Sequence, residues 1–221
     1  MNRIFASLIV ALLLFPAIAF AESVDFDDLV ERDGVYYKKF TDEPFDGEVT
    51  GQVQGEFVNG KQDGPWFDYF ENGQLYIKGT YKNGLKDGAW FRYNKSGPLF
   101  YKKTYKNGKQ DGPWVFYYMN GQLSAKGTYK NGKQDGPWVN YHINGQLSAK
   151  GTFKNGKPDG PWVKYDENGQ LLGKGTYKYD KKVGDYILIY KNDEKDGPWV
   201  VNYDNGQLMS KGTYKNGNKI D

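Results

Sequence analysis

Cysteine is absent from the 221 residues, histidine occurs once and methionine three times. Without cysteine there is no disulfide framework and no thiol nucleophile, and without a second histidine a zinc site lacks its usual ligands. A lipidated N-terminus, which needs a cysteine, is excluded too. Within the repeats that follow the first residues, no run of good helix formers reaches 10–12 residues free of glycine. Serine is sparse and has no histidine setting that fits a catalytic triad. No pair of carboxylates stands out for acid–base work. The chain is expected to be non-enzymatic, with no cofactor and no metal.

Long apolar runs are missing apart from the first residues, MNRIFASLIVALLLFPAIAFA. Arg3 provides a positive start, Ile4 to Phe15 an apolar stretch, and Ala19-Phe20-Ala21 a small-residue cleavage site. The stretch is short for a membrane span of about 20 residues. It reads as a secretory signal, so the mature chain is expected outside the cytoplasm, periplasmic or extracellular, after cleavage near Ala21.

What the sequence has in abundance is glycine (29), tyrosine (19) and phenylalanine (13), which favours turns and strands. Charge is uneven. Residues 22–62 carry eleven acids and four bases, whereas residues 63–221 carry 25 bases and 16 acids. An acidic head precedes a basic body.

The body is periodic. Trp66, Trp90, Trp114, Trp138 and Trp162 are each 24 residues apart, and Trp199 follows after 37. The phrase NGKQDGPW stands at 59–66, 107–114 and 131–138. The spacing divides the chain into an acidic N-terminal cap with a degenerate repeat (22–62), five 24-residue repeats (63–182), a truncated repeat (183–195) and a last repeat (196–221). In the truncated unit Val183-Gly184-Asp185-Tyr186 takes the Asp-Gly-Pro-Trp place, and a turn through KNDEK leads to the last repeat.

Within a unit the pattern predicts two strands and two turns. Asp111-Gly112-Pro113 reads as a turn and Trp114 to Tyr118 as a strand. Asn120-Gly121 reads as a hairpin turn, since both residues tolerate positive φ, and Leu123 to Lys130 as the second strand. One hairpin cannot bury its aromatic face alone, so the fold class expected is all-β, an elongated antiparallel array of stacked hairpins.

Alternation assigns faces. Leu123, Ala125, Gly127 and Tyr129 form the packed set of the second strand, with glycine leaving room for a neighbouring ring, plausibly a tryptophan. Lys103 replaces that glycine in one unit. In the first strand Val115 and Tyr117 recur in kind while the positions between them vary. The varying set Phe116, Tyr118, Asn140, His142, Lys164 and Asp166 is the expected solvent-facing binding face. A second candidate is the stripe Lys78, Lys102, Lys126, Lys150, Lys174 and Lys211, one position per unit, suited to an anionic ligand.

The unit DGPW-x-x-Y-x-x-NGQL-x-x-KGTYKNGK resembles the bacterial variant of the MORN repeat, the type found in the YwqK-like antitoxin family. The resemblance covers Asp63 to Asp221 and, weakly, 36–62. It implies a hairpin array used as an interaction scaffold, with a toxin as partner where the antitoxin role holds. Related eukaryotic arrays imply membrane and phosphoinositide contacts. The partner expected here is a protein, with an anionic membrane surface or a glycan as the alternative; nucleic acid is the least favoured class for an exported chain.

Overall fold

A computed structural model describes residues 22–178, 181–188, 190–191, 194–195, 197–202 and 207–220. Residues 1–21, where a secretory signal is expected, and part of the expected KNDEK turn lie outside the described residues. Among the described residues the chain is nearly all strand, with one short 3-10 turn at Phe26–Asp28 and no α-helix. The expected all-β array of stacked antiparallel hairpins is what forms.

Each hairpin pairs with the next. Lys109–Tyr117 is hydrogen-bonded on one side to Leu99–Lys106 and on the other to Leu123–Lys130. Leu123–Lys130 in turn pairs with Gly136–Tyr141. The two turn types of a unit differ. Asn107 (φ 49) and Gly108 (φ 77) are both left-handed, as are Asn131 and Gly132, the geometry of a two-residue type I′ hairpin turn. At Asn120-Gly121 only Gly121 (φ 83) is left-handed. There Gly121 N donates to Tyr118 O and Tyr118 N to Gln122 O, a three-residue loop closed by a glycine bulge. Asn120 contributes through its side chain instead, Oδ1 accepting from Gln122 N at 3.0 Å. The hairpin expected at Asn120-Gly121 forms, with only the glycine at positive φ.

Asp111-Gly112-Pro113 is not a turn. Strand Lys109–Tyr117 runs through it, and the register jumps between Gln110 and Trp114, so the three residues bulge out of the ladder. Pro113, which has no N–H, remains opposite Thr128 on the other side. The aspartate has a separate task. Its carboxylate accepts the N–H of the Asn-Gly turn 20 residues on: Asp63 from Asn83 (2.9 Å), Asp87 from Asn107 (3.3 Å), Asp111 from Asn131 (3.0 Å) and Asp135 from Asn155 (3.2 Å). The following glycine N–H donates to the carbonyl just before that aspartate, as Gly132 does to Gln110. The aspartate that opens each of these units thus seats the Asn-Gly turn near the end of the same unit.

The core is aromatic. Trp66 and Trp90 are buried with Phe57, Phe45, Val49 and Leu29. The N-terminal segment folds against this end: Glu22–Asp25 pairs in parallel with Gly47–Thr50, and the Phe26 ring meets Trp66 edge-on at 5.8 Å. From there the rings zigzag edge to face through Trp66, Tyr81, Trp90 and Tyr105, and again through Tyr129, Trp138, Phe153 and Trp162. The glycines of the second strands make this possible. A Cβ at Gly79 would overlap the ring of Trp90, one at Gly127 that of Trp138, and one at Gly151 that of Trp162.

Candidate binding surfaces

Strand register decides which residues share a face. Trp114 stands opposite Gly127 and Phe116 opposite Ala125, whereas Val115 stands opposite Lys126. Val115, expected to belong with the packed set, lies on the lysine face. Phe116, Asn140 and Lys164 share the aromatic face, since Asn140 and Lys164 both stand opposite Ala149. The alternation holds in the second strand, but in the first a register shift between Phe116 and Tyr117 sets Tyr117 opposite Leu123, on the aromatic face and apart from Val115. Which set of one strand joins which set of the next depends on register, and bulges reset it.

The aromatic face carries a continuous transverse row. In pairing order it runs Asp68, Ile77, Arg92, Tyr101, Phe116, Ala125, Asn140, Ala149, Lys164 and Gly173. Every second position comes from a first strand, and those five are five different residue types in four chemical classes: an acid, two bases, an aromatic and an amide. They stand roughly 10 Å apart, two strand spacings. Asp68, Arg92, Phe116 and Asn140 are half-buried and Lys164 is exposed. Burial raises the pKa of the Asp68 carboxyl above its ordinary value.

The other three expected residues sit at the hairpin tips. Tyr118 donates its hydroxyl to Tyr141 O at 2.7 Å, and His142 Nε2 bonds Tyr165 O at 2.9 Å, each reaching into the next unit. Because a carbonyl only accepts, the His142 proton there is on Nε2. Asp166 accepts from Asn168 N and Gln170 N within its own turn. The six residues therefore divide into three on the row and three tying tips.

The lysine face has its own row: Phe67, Lys78, Phe91, Lys102, Val115, Lys126, Val139, Lys150, Val163 and Lys174. Lys211 stands opposite Val200 in the last hairpin. Lys126, Lys150, Lys174 and Lys211 are exposed, while Lys78 and Lys102 are half-buried with their ammonium groups 5.1 and 5.5 Å from the Phe91 ring. Among the described residues the ion pairs are Arg32–Asp42 and Lys38–Glu22, so none of these six lysines meets a carboxylate.

Sequence reasoning missed one place. Where Lys103 replaces glycine, it stands opposite both Trp90 and Trp114. Trp114 is only half-buried, and its ring stacks on Phe116 (5.7 Å, 15°) and Trp138 (4.9 Å, 25°). Lys103 Nζ lies 4.3 Å from the Tyr101 ring centre, and Lys86 Nζ 4.3 Å from that of Trp90. Burial holds both lysines below the ordinary amine range, assisted by Arg92 beside Lys103 and by Lys103 beside Lys86. The signal was in the sequence, as a single break of the Lys-Gly-Thr phrase, but its consequence needed the fold.

No three His, Cys, Asp or Glu side chains gather as a metal site among the described residues. What the geometry defines is a class: a β-hairpin repeat array with two side-chain rows across its sheet. The family model described as MORN repeat variant matches residues 62–83, 110–131, 134–155, 158–179 and 195–216, and that described as MORN repeat matches 54–65 and 150–161. The chain is a MORN repeat protein, from a family of typically non-catalytic, repeat-based binding modules. The stretch 84–109, which keeps the tryptophan spacing, falls between the matches. No curated protein matches the chain.

Proposed function

We propose that the chain is an exported, non-enzymatic scaffold that binds another protein along the Asp68–Arg92–Phe116–Asn140–Lys164 row. One observation carries this reading: within repeats that share their turns and tryptophan spacing, the five first-strand side chains on that row are of five different types and lie in line. A ligand made of identical units would be met by identical side chains. A row of unlike ones suits a folded partner with its own irregular surface. The signal features of Met1 to Ala21 favour export, and an immunity or antitoxin-like role fits a toxin acting outside the cytoplasm. The test is affinity capture from an envelope extract with mature chain 22–221. Replacing Phe116, Asn140 and Lys164 together by alanine is expected to abolish recovery of the partner; full recovery overturns the reading.

A second reading rests on the lysine row. Its alternation with Phe and Val offers charge and apolar contact to an anionic membrane surface. Binding to vesicles containing phosphatidylglycerol should be lost when Lys126, Lys150 and Lys174 become glutamine; unchanged binding sinks it.

A further inference from the structure

The unit around Arg92 and Lys103 is built unlike the others, and its peculiarities converge on one chemistry. Arg92 Cζ lies 5.0 Å from the Tyr76 ring centre and 5.2 Å from that of Phe100. Two rings hold the guanidinium while its N–H groups bond no residue of the described chain. An arginine fixed by aromatic rings has already lost much of its rotamer freedom, so forming a forked pair with an oxyanion costs less entropy. Lys103, whose Nζ lies 4.3 Å from the ring centre of Tyr101, the residue opposite Arg92, adds a second cation. The carboxylate nearest along the row is Asp68, two strands away across Ile77, and it forms no ion pair with either. The two cations repel each other and face a deficit of negative charge, an arrangement that weakens the free fold and is relieved by a bound anion.

We propose that Arg92 and Lys103 form an anchor for a carboxylate side chain of an acidic protein segment, with Phe116 next along the row taking an apolar side chain from the same segment. This rests on the protein-partner reading and deepens it. The spacing favours a protein segment over a free anion. Arg92 and Phe116 both stand opposite Tyr101, so charged and apolar contacts come roughly 10 Å apart and call for a ligand of that length. The position of Lys103 supports a local specialisation. It stands opposite Trp114 where the other units place a glycine, Trp114 is half-buried and stacked on Phe116, and Lys103 lies in the stretch between the family matches.

The probe is a fluorescein-labelled peptide of alternating glutamate and leucine, set against its glutamine counterpart and measured by anisotropy with mature chain 22–221 at physiological salt. The glutamate peptide is expected to bind at least 10-fold more tightly. Arg92→Gln and Arg92→Lys should each reduce that affinity 10-fold or more, the second because the fork is lost while the charge stays. Lys103→Gly should reduce it less. The triple change of Lys126, Lys150 and Lys174 to glutamine should alter it by under 3-fold. Thermal unfolding checks that each variant folds, and the peptide should raise the melting temperature of the parent but not of Arg92→Gln. Binding insensitive to Arg92, or lost equally in the triple variant, overturns the proposal in favour of diffuse charge attraction. So does displacement of the peptide by inorganic phosphate but not by acetate, which would assign the site to a phosphorylated ligand. Partner capture that survives Arg92→Gln but not the Phe116, Asn140 and Lys164 change would reject this anchor and leave the broader reading standing.

Discussion

Two junctions between neighbouring units, 24 residues apart, solve the same packing problem differently. At the first, Gly79 has no side chain and the Trp90 ring lies on its backbone, 3% exposed. Trp90 Nε1 donates to Thr80 O at 3.1 Å, and Tyr81 meets the ring edge-on at 4.8 Å. At the second, Lys103 occupies the glycine place, and Trp114 leans instead onto Phe116 and Trp138. The first junction is a closed core. The second is a half-open patch of stacked rings and cations. The two junctions differ at the glycine place, and the second offers a candidate contact surface.

Tryptophan truncation should separate the two junctions most. Trp90→Ala is expected to cost about 3–5 kcal/mol, the usual range for emptying a large aromatic site in a core. Trp114→Ala should cost no more than about 2 kcal/mol, because less apolar area is released to water. Urea unfolding of both variants tests this, and equal losses would erase the distinction. Next comes the glycine itself. Gly79→Ala should destabilise by about 1–3 kcal/mol through overpacking against Trp90. Lys103→Gly should change stability by less than about 1 kcal/mol, lost strand rigidity opposing relief of charge repulsion. It should also let Trp114 reseat, seen as a blue-shifted emission difference against a Trp114→Phe control.

Smaller effects bear on the frame around both junctions. Asp87→Ala and Asp111→Ala each remove a carboxylate from an Asn-Gly turn, at about 0.5–1.5 kcal/mol for one exposed hydrogen bond. Amide exchange at Asn107 and Asn131 should quicken respectively. The last prediction concerns pH. Burial beside Trp66 and Trp90 pushes the Tyr81 phenol up from 10.0 to about 12. The folded state then keeps the proton that the unfolded chain gives up. Stability should fall as pH rises from about 10 towards 12. Tyr81→Phe should flatten that decline in a melting-temperature series, and Phe153, which already stands in the equivalent place between Trp138 and Trp162, indicates that the ring packs without a hydroxyl.

Much of the architecture was legible because turn chemistry and alternation are local. Asn107-Gly108 admits the left-handed pair a type I′ turn needs, and Gly127 marks a ring lying on its backbone. The errors fell where a local signal has two structural outcomes. Asp111-Gly112-Pro113 contains turn residues, yet the strands on either side are held in one sheet by their neighbours, so the segment bulges rather than reverses. The binding candidates were half legible. Variation between units singled out Phe116, Asn140 and Lys164, but it also selected Tyr118 and His142, whose polar atoms reach carbonyls 23 residues away. No pattern within one unit reveals a bond to the next.

The sequence by itself determined the repeat, the hairpins, the antiparallel class and the absence of cysteine chemistry, because period, turn type and residue content are properties of short stretches. The tertiary structure alone decided which strand faces share a side of the sheet, how five unlike residues come into one line, and that Arg92 is held between Tyr76 and Phe100. Those facts depend on register between strands, and register is fixed by bulges and by the packing of rings from neighbouring units, which no single stretch contains.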